Sequence, residues 1–184
     1  MEREMARQGM HVAAGTLFIA LLALLGREAA VAVSALAMLL GLFAALLIRR
    51  GVKLPLVSAA LGKVERDYER HFPGKGAFLF LASLVLAVLV FQNAGVALGA
   101  LCVAVYGDGA STLFGKKFGR HRIGDKTIEG TFGGIAVAAL FLAIFFRPEV
   151  AVVAAVAGML AEYIPLDDSF TIPLTAGAAL TLLI

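Results

Sequence analysis

The chain has 184 residues, of which 61% are hydrophobic and 16% are charged, and its formal net charge is +3. A soluble domain carries roughly 25% charged residues, so this composition argues against a soluble fold and favours a single domain, residues 1–184, embedded in a bilayer. Cys102 is the only cysteine, which excludes an intramolecular disulfide and a cysteine-ligated metal cluster.

Apolar runs separated by glycine, proline and charged residues predict an all-α fold. A helix that spans the bilayer needs about 20 apolar residues, and shorter ones are tolerated where the bilayer thins. The predicted spans are 9–26, 29–48, 76–92, 94–115, 131–147, 149–164 and 170–184. Over 52–75, apolar residues recur at steps of three and four, which predicts either a helix in the headgroup plane or a plain connector that covers the bundle. The expected architecture is a polytopic membrane bundle of about seven spanning helices plus one interfacial amphipathic helix.

Basic residues fall almost entirely on one side of this predicted bundle. Of the 16 lysines and arginines, only Arg27 and Arg147 lie on the side opposite the N-terminus. The positive-inside rule makes the N-terminal side cytoplasmic. We therefore expect an integral membrane protein with its N-terminus and its polar loops at the cytoplasmic face.

Three polar side chains share one face of the helix that leads into the first span. They are Glu4, Arg7 and His11, at positions i, i+3 and i+7. A lone histidine in such a place is more often structural. Three polar residues on one face leave a structural and a functional role equally open.

The stretch from Tyr106 to Thr131 is the richest in polar chemistry. Small residues at a four-residue spacing allow close helix approach in lipid. They are Gly95, Gly99, Gly107, Ser111, Gly115 and Gly119. Packing is the preferred explanation for Gly95 and Gly99, but it does not explain Asp108 with Ser111 and Thr112 on one helix face. An acid at the end of a span is costly unless it is hydrated or paired, so Asp108 is a functional candidate.

Dense positive charge follows that span, interleaved with glycines. The basic side chains are Lys116, Lys117, Arg120, His121, Arg122 and Lys126. Flexible backbone with positive charge suits a polyphosphate, although from the charge alone membrane topology or attraction to anionic headgroups is the preferred explanation. The stretch is not a Walker A loop, because Lys117 stands where that motif requires Ser or Thr, and Thr112 breaks a Gly-x-Gly-x-x-Gly pattern.

Carboxyl groups reach the same bilayer face as the basic loop. They belong to Asp108, Glu129, Glu162, Asp167 and Asp168. In magnesium–nucleotide sites carboxylates hold the metal while lysines or arginines hold phosphates. The combination therefore predicts such a site here.

Three motifs stand out in this stretch: Gly107-Asp108-Gly-Ala-Ser, Gly115-Lys-Lys-Phe-Gly119 and Lys126-Thr-Ile-Glu-Gly130. They resemble the CTP-dependent lipid kinase family, which includes dolichol kinase, phytol kinase and the fungal CTP-dependent diacylglycerol kinase. The early Glu4-x-x-Arg7-x-x-x-His11 and the late Glu162-Tyr-Ile-Pro-Leu-Asp-Asp168 with Thr171-Ile-Pro173 resemble it too. The middle motif is typical of a wider group of cytidine-nucleotide lipid enzymes, and the late segment is closer to the kinases. Phosphatidate cytidylyltransferases share a Lys-Thr-x-Glu-Gly element, but their His-Gly-Gly followed by Asp-Arg has no counterpart here. Gln8 also stands where the family often has lysine.

The resemblance implies phosphoryl transfer from CTP to the hydroxyl of a membrane isoprenoid alcohol of the polyprenol (dolichol), phytol or geranylgeraniol type, with Mg²⁺ as cofactor. It implies catalytic roles for Asp108, Asp167, Asp168, Arg7 and His11, the proton-accepting base being open between Asp167 and Asp168. It implies metal binding by Asp108, Glu162 and Asp168. The implied nucleotide-binding residues are Ser111, Thr112, Gly115, Lys116, Lys117, Arg120, Arg122, Lys126, Thr127, Glu129 and Gly130.

The expected partners are CTP, the lipid alcohol and the bilayer, with no nucleic acid. The alternatives are a CTP-dependent diacylglycerol kinase, a cytidylyltransferase that makes a CDP-activated lipid, and a small transporter. The middles of the predicted spans hold no charged residue, which argues against a translocation path. The acceptor alcohol and the oligomeric state are left open.

Overall fold

A computed structural model of the protein describes residues 2–55, 57 and 74–184. Over these residues the chain is almost entirely helical. The helices are α1 (Glu2–Arg49), α2 (Lys75–Val90), α3 (Ala94–Cys102), α4 (Asp108–Phe118), α5 (Ile128–Leu142), α6 (Pro148–Leu160) and α7 (Asp168–Leu183). A π-helical turn, Val103–Gly107, joins α3 to α4, and a 3-10 turn, Ala161–Tyr163, follows α6. The all-α prediction is confirmed for this part of the chain, whereas the predicted interfacial helix over 52–75 lies largely outside it.

Two of the described helical stretches are long and apolar enough to cross a membrane. They are Met5–Arg49 and Ala94–Phe118, which runs through the π-helical turn. The helices α2, α5 and α7 are apolar but shorter. Each described helix overlaps one or two of the predicted spans, so the positions of the helices agree with the sequence pattern. The number of membrane crossings stays a prediction.

The helix α1 covers the first two predicted spans and is broken at Gly26. Gly26 has φ 83° and ψ 177°, a backbone conformation that residues with a Cβ rarely adopt. The next residue, Arg27, donates hydrogen bonds to the backbone oxygens of Phe91 and Gln92 at 2.7 and 2.8 Å, and to Gln92 Oε1 at 3.2 Å. Arg27 therefore ties the C-terminal end of α2 to the break in α1.

The small residues of α3 and of the π-helical turn let the other helices approach closely. A Cβ on Gly99 would lie 2.6 Å from Leu180 Cδ1, and one on Gly107 would lie 2.8 Å from Met159 Sδ. Both positions therefore require glycine for helix packing, as predicted for Gly99. At Gly95 a Cβ would meet chiefly the neighbouring Asn93 side chain, at 3.2 Å, so tight packing between helices does not account for that glycine.

A short β-hairpin connects α4 to α5. Its strands are β1 (Arg122–Ile123) and β2 (Lys126–Thr127), antiparallel, with Arg122 opposite Thr127. Gly124, with φ 61°, begins the two-residue turn between them, where a positive φ is favoured. The predicted spans and helices did not include this hairpin, because two-residue strands are too short to show an alternating pattern. The hairpin leads directly into α5 and fixes the position of Lys126.

Candidate functional site

Lys126 lies within a cluster of carboxyl groups where β2, α4, α7 and the 3-10 turn meet. Its Nζ donates a hydrogen bond to Asp168 Oδ2 and lies 3.5 Å from Glu162 Oε2. Burial is the largest single influence on its pKa and lowers it. The hydrogen bond to Asp168 and the charges of Asp108, Asp168 and Glu162 together outweigh burial and raise the pKa above its usual value. All three carboxyl groups predicted to bind metal therefore act on one ammonium group.

Glu162 is the buried member of this cluster, with 3% of its surface exposed. Its Oε2 accepts a hydrogen bond of 3.0 Å from Ser111 Oγ, and its Oε1 accepts one from Thr131 Oγ1. The Thr131 hydroxyl also lies 2.7 Å from the hydroxyl of Tyr163. A buried carboxylate is costly unless it is paired and hydrogen-bonded, and Glu162 has both kinds of partner. It therefore links α4, α5 and Lys126.

Asp108 begins α4 directly after the π-helical turn, and its side chain is 18% exposed. Such turns insert one residue into a helix and occur frequently at functional sites. His11 of α1 comes close, with its Nε2 3.8 Å from Asp108 Oδ2. Arg7 lies near enough for its charge to act on the His11 ring. The structure thus brings Arg7 and His11, predicted to be catalytic, to the side of the cluster that contains Asp108.

The two neighbouring acids of the late motif occupy different places. Asp168 bonds to Lys126, as described above. Asp167 is exposed and caps α7, because its Oδ1 accepts a hydrogen bond of 3.0 Å from the Ser169 backbone N–H. Of the two candidates for the base, the structure brings only Asp168 to the cluster, and a catalytic role for Asp167 stays a prediction.

The loop after α4 encloses an open concavity of about 600 Å³. Its lining residues are Lys117, Phe118, Gly119, Arg120, His121 and Glu129. Ligand sites commonly have volumes of roughly 300–1,000 Å³, and the volume of this concavity lies within that range. Lys117, Arg120 and Glu129 are among the predicted nucleotide-binding residues, and the structure places them together here.

Glu129 holds the backbone of this loop. Its carboxylate lies 2.7 Å from His121 Nδ1 and accepts hydrogen bonds from the backbone N–H groups of Arg120 and His121, at 3.0 and 3.2 Å. The His121 side chain, followed by these backbone donors, lowers the pKa of Glu129 to about 2. Glu129 therefore shapes the concavity by fixing two residues that line it.

Other predicted nucleotide-binding residues divide into exposed and packed ones. The exposed ones are Lys116 at the end of α4 and Arg122 on β1. Gly115, Thr127 and Gly130 instead interlock α4 with α5. A Cβ on Gly115 would lie 2.6 Å from Thr127 Oγ1, which itself accepts a hydrogen bond of 3.1 Å from the Gly130 N–H.

The remaining two residues of that prediction lie in the middle of α4. Ser111 is buried and bonds to Glu162, and Thr112 is half-buried. Ser111 therefore belongs to the carboxyl cluster rather than to the concavity. The structure places neither residue among those that line the concavity.

The carboxyl groups around Lys126 fit Mg²⁺ by their chemistry. The described residues contain no group of three His, Cys, Asp or Glu side chains arranged to hold a metal ion. Mg²⁺, however, is usually bound by one or two carboxylates together with substrate phosphates. Asp108, Glu162 and Asp168 are formally three negative groups around one ammonium, so they could hold a divalent cation once a nucleotide adds its oxygens.

Thr131 and Tyr163 are polar residues of the site that the sequence analysis did not select. Both could have been suspected. Thr131 lies one helical turn after Thr127, at the start of a predicted span, and Tyr163 lies inside the late motif. The Thr131 hydroxyl contacts both Glu162 and Tyr163, and these contacts depend on the packing of α5 against the 3-10 turn, which sequence spacing does not show.

Comparison with known proteins gives a family match over nearly the whole chain. The sequence model of the cytidylyltransferase family matches residues 1–180. Neither the curated proteins nor the solved structures gave a match. The family consists of enzymes that use CTP in lipid chemistry, which confirms the wider group that the motifs resemble and leaves the kinase subgroup as a prediction. The chain belongs to the cytidylyltransferase family and is a CTP-using lipid enzyme.

Proposed function

We propose that the protein transfers the γ-phosphoryl group of CTP to the hydroxyl of a membrane isoprenoid alcohol and produces a lipid monophosphate and CDP. The observation that carries the proposal is the convergence of Asp108, Glu162 and Asp168 on Lys126, next to a basic loop. Phosphoryl transfer is catalysed chiefly by positioning and by neutralising phosphate charge, and this cluster offers groups for both. The late Asp167-Asp168 segment and the missing His-Gly-Gly element favour a kinase over nucleotidyl transfer.

In the proposed membrane arrangement the helices form seven spans. The N-terminus and the site lie at the cytoplasmic face. The one-sided distribution of the basic residues supports this arrangement. The helix α1 supports it too, because only 11% of its most apolar stretch is buried within the protein. Exposed leucines such as Leu24 and Leu40 would then face lipid. CTP would reach the site from the cytoplasm, and the alcohol would present its hydroxyl at headgroup level.

In the proposed reaction the CTP phosphates lie along the basic loop, held by Lys116, Lys117 and Arg120. Lys126 releases its hydrogen bond to Asp168 and donates one to an oxygen of the terminal phosphates. The alcohol oxygen forms a bond to the γ-phosphorus while the bond from that phosphorus to the β–γ bridging oxygen breaks, so CDP leaves. The hydroxyl proton passes to a carboxylate of the cluster. Mg²⁺, when bound by Asp108, Glu162 or Asp168, neutralises charge on the terminal phosphates.

Isotope labelling tests the proposal directly. Purified protein in liposomes receives geranylgeraniol or a polyprenol with CTP labelled at either the γ or the α phosphorus. We expect γ label in the lipid product and unlabelled lipid from α-labelled CTP. Product analysis should find CDP and no pyrophosphate.

A cytidylyltransferase is the second candidate, and the family match favours it. Such an enzyme would join a lipid phosphate to the α-phosphorus of CTP and release pyrophosphate. Incorporation of α label, with phosphorylated lipids as the only acceptors, would replace the kinase proposal with this one. If γ label enters diacylglycerol and does not enter any isoprenoid alcohol, the protein is a kinase whose substrate is diacylglycerol.

Cysteine labelling tests the membrane arrangement. Leu166 is 70% exposed and belongs to the proposed cytoplasmic side, whereas Arg147, with a side chain 83% exposed, belongs to the opposite side. Single cysteines at these positions, in a Cys102→Ala background, are treated with a membrane-impermeant thiol reagent. Leu166→Cys should react only from the cytoplasmic side and Arg147→Cys only from the other. Reaction of both from one side would contradict the seven-span arrangement.

A further inference from the structure

We propose that His11 and Asp108, together with Gln8, form the site that binds the hydroxyl group of the acceptor alcohol. The inference deepens the proposed function and relies on it for the identity of the ligand as an alcohol. Three observations carry it: the hydrogen-bonding state of His11, the buried oxygen of Gln8, and the apolar surroundings of the His11 ring.

The first observation is that the His11 ring has a buried nitrogen without a partner. Nε2 has no hydrogen-bond partner among the described residues. It lies 3.8 Å from Asp108 Oδ2, which is too far for a direct hydrogen bond between the two side chains. A hydroxyl both donates and accepts, so the O–H group of a ligand can bond to the histidine nitrogen and to the carboxylate side of this pair.

The second observation is another buried acceptor on the same face of α1. Gln8 lies one helical turn before His11 and is 3% exposed. Its Oε1 also has no hydrogen-bond partner within the part of the chain that the structure describes. Buried polar atoms are rarely left without partners, because each lost hydrogen bond costs stability. Two buried polar atoms without partners on one helix face indicate a ligand that brings a hydroxyl, which can both donate and accept.

The third observation is that apolar groups lie next to His11. The ring lies against Phe80 of α2, with 3.8 Å between the ring centroids. Val12, the next residue of α1, packs beside Gly109 of α4, where a Cβ on Gly109 would lie 2.9 Å from Val12 Cγ2. A hydrocarbon chain with a single hydroxyl matches these surroundings better than a strongly hydrated ligand does. Asp108 belongs both to this site and to the Lys126 cluster, so a hydroxyl bound here would lie beside the proposed phosphate site.

The test compares two ligands with the same chain, of which only one has a hydroxyl donor. Geranylgeraniol has an O–H group, whereas geranylgeranyl methyl ether keeps the oxygen and the chain but cannot donate. Affinities are measured by titration calorimetry on protein in nanodiscs. We expect the wild-type protein to bind the alcohol about tenfold more tightly than the ether, the effect of roughly one hydrogen bond. Equal affinities would overturn the proposal without any variant.

Variants then assign the preference to His11. His11→Phe keeps a ring against Phe80 and removes Nε2, so the preference for the alcohol should fall to less than about twofold. His11→Gln restores an acceptor and should recover most of it. Thr16→Val, which removes a hydroxyl bonded to Tyr106 elsewhere on α1, is the matched control and should leave it unchanged. The thermal shift caused by CTP should be the same in all three variants.

Two results would count against the site. A preference for the alcohol that persists in His11→Phe would show that the hydroxyl binds elsewhere. If Mn²⁺ binding, measured by electron paramagnetic resonance without nucleotide, falls in His11→Phe while that preference persists, the acceptors hold a cation instead. Failure of the proposed function has a different signature, namely absence of γ label in any alcohol, because the binding preference requires no phosphoryl transfer.

Discussion

Replacing Glu162 tests whether this buried carboxylate holds the site together. In Glu162→Leu the hydroxyls of Ser111 and Thr131 and the Lys126 ammonium lose their shared acceptor. Removing one partner of a buried ion pair costs about 3–5 kcal/mol. Lys126 keeps its bond to Asp168 and is 26% exposed, so we expect the lower half of that range, about 3–4 kcal/mol. Glu162→Gln keeps an oxygen acceptor and loses only the charge, for which we expect about 1–2 kcal/mol.

Thermal unfolding in detergent measures these losses. Cys102 is the only cysteine and is 2% exposed, so a thiol-reactive dye reports the unfolding transition. For a chain of this size about 1 kcal/mol lowers Tm by roughly 2–4 °C, which predicts losses of about 2–8 °C for Glu162→Gln and about 6–16 °C for Glu162→Leu. Glu149→Gln is the control, since Glu149 is 59% exposed and pairs with Arg147 at the surface. If Glu162→Leu loses no more than Glu149→Gln, Glu162 does not have the structural role described here.

Four further predictions follow from single contacts. Lys126→Ala should raise the KM for CTP about tenfold in a phosphoryl-transfer assay, because one cationic contact to phosphate is worth roughly 1.4 kcal/mol or more. Asp108→Asn should lower kcat about a hundredfold while CTP still raises Tm, since the variant removes a proposed metal ligand and keeps the fold. The pKa of Glu129 is lowered from 4.5 to about 2, so the contribution of its charge to stability is present above about pH 4.5 and is lost as the pH falls towards 2. Glu129→Gln should therefore flatten the dependence of Tm on pH between pH 4.5 and pH 2. Arg27→Ala removes three hydrogen bonds far from the proposed site and should lower stability by about 1–3 kcal/mol with kcat unchanged, which unfolding and rate measurements together check.

Each of these predictions has an outcome that would contradict it. An unchanged KM in Lys126→Ala would remove Lys126 from phosphate binding, and near-normal turnover in well-folded Asp108→Asn would remove Asp108 from the metal site. A Tm profile of Glu129→Gln parallel to that of the wild type would mean that Glu129 does not stabilise the loop. A loss of Tm in Arg27→Ala no greater than in Arg147→Ala, the exposed control, would contradict the tie between α1 and α2.

The sequence predicted the helices well because their ends depend on local chemistry. Gly26 breaks α1 through its own backbone conformation, and Pro148 begins α6 at the position where its missing N–H has no cost. Asn93 caps α3 through two backbone N–H groups close to it in the chain. Signals of this kind lie within a few residues of the structure that they determine, so spacing and residue type are sufficient to find them.

The partners within the site could not be predicted in the same way. Lys126 bonds to Asp168, which is 42 positions later, and reaches Glu162, which is 36 positions later. Several acids near the same bilayer face were equally good candidates from the sequence, and only the packing of α7 and the 3-10 turn selects these two. Asp167 and Asp168 show the difference most clearly, because adjacent residues at a helix start point in different directions and one of them is used for capping.

The segment Lys126-Thr-Ile-Glu-Gly130 shows how one motif combines two kinds of role. Its glycine serves packing: a Cβ on Gly130 would lie 2.7 Å from the backbone oxygen of Ser111, so a larger residue would push away α4, whose Ser111 hydrogen-bonds to Glu162. Thr127 caps α5 by accepting the Gly130 N–H, and Glu129 fixes the backbone that lines the concavity. Only Lys126 directs a cationic side chain into the carboxyl cluster. In a P-loop the glycines expose backbone N–H groups to phosphate, whereas Gly115 and Gly130 bring helices together, so the proposal assigns phosphate binding to lysine and arginine side chains.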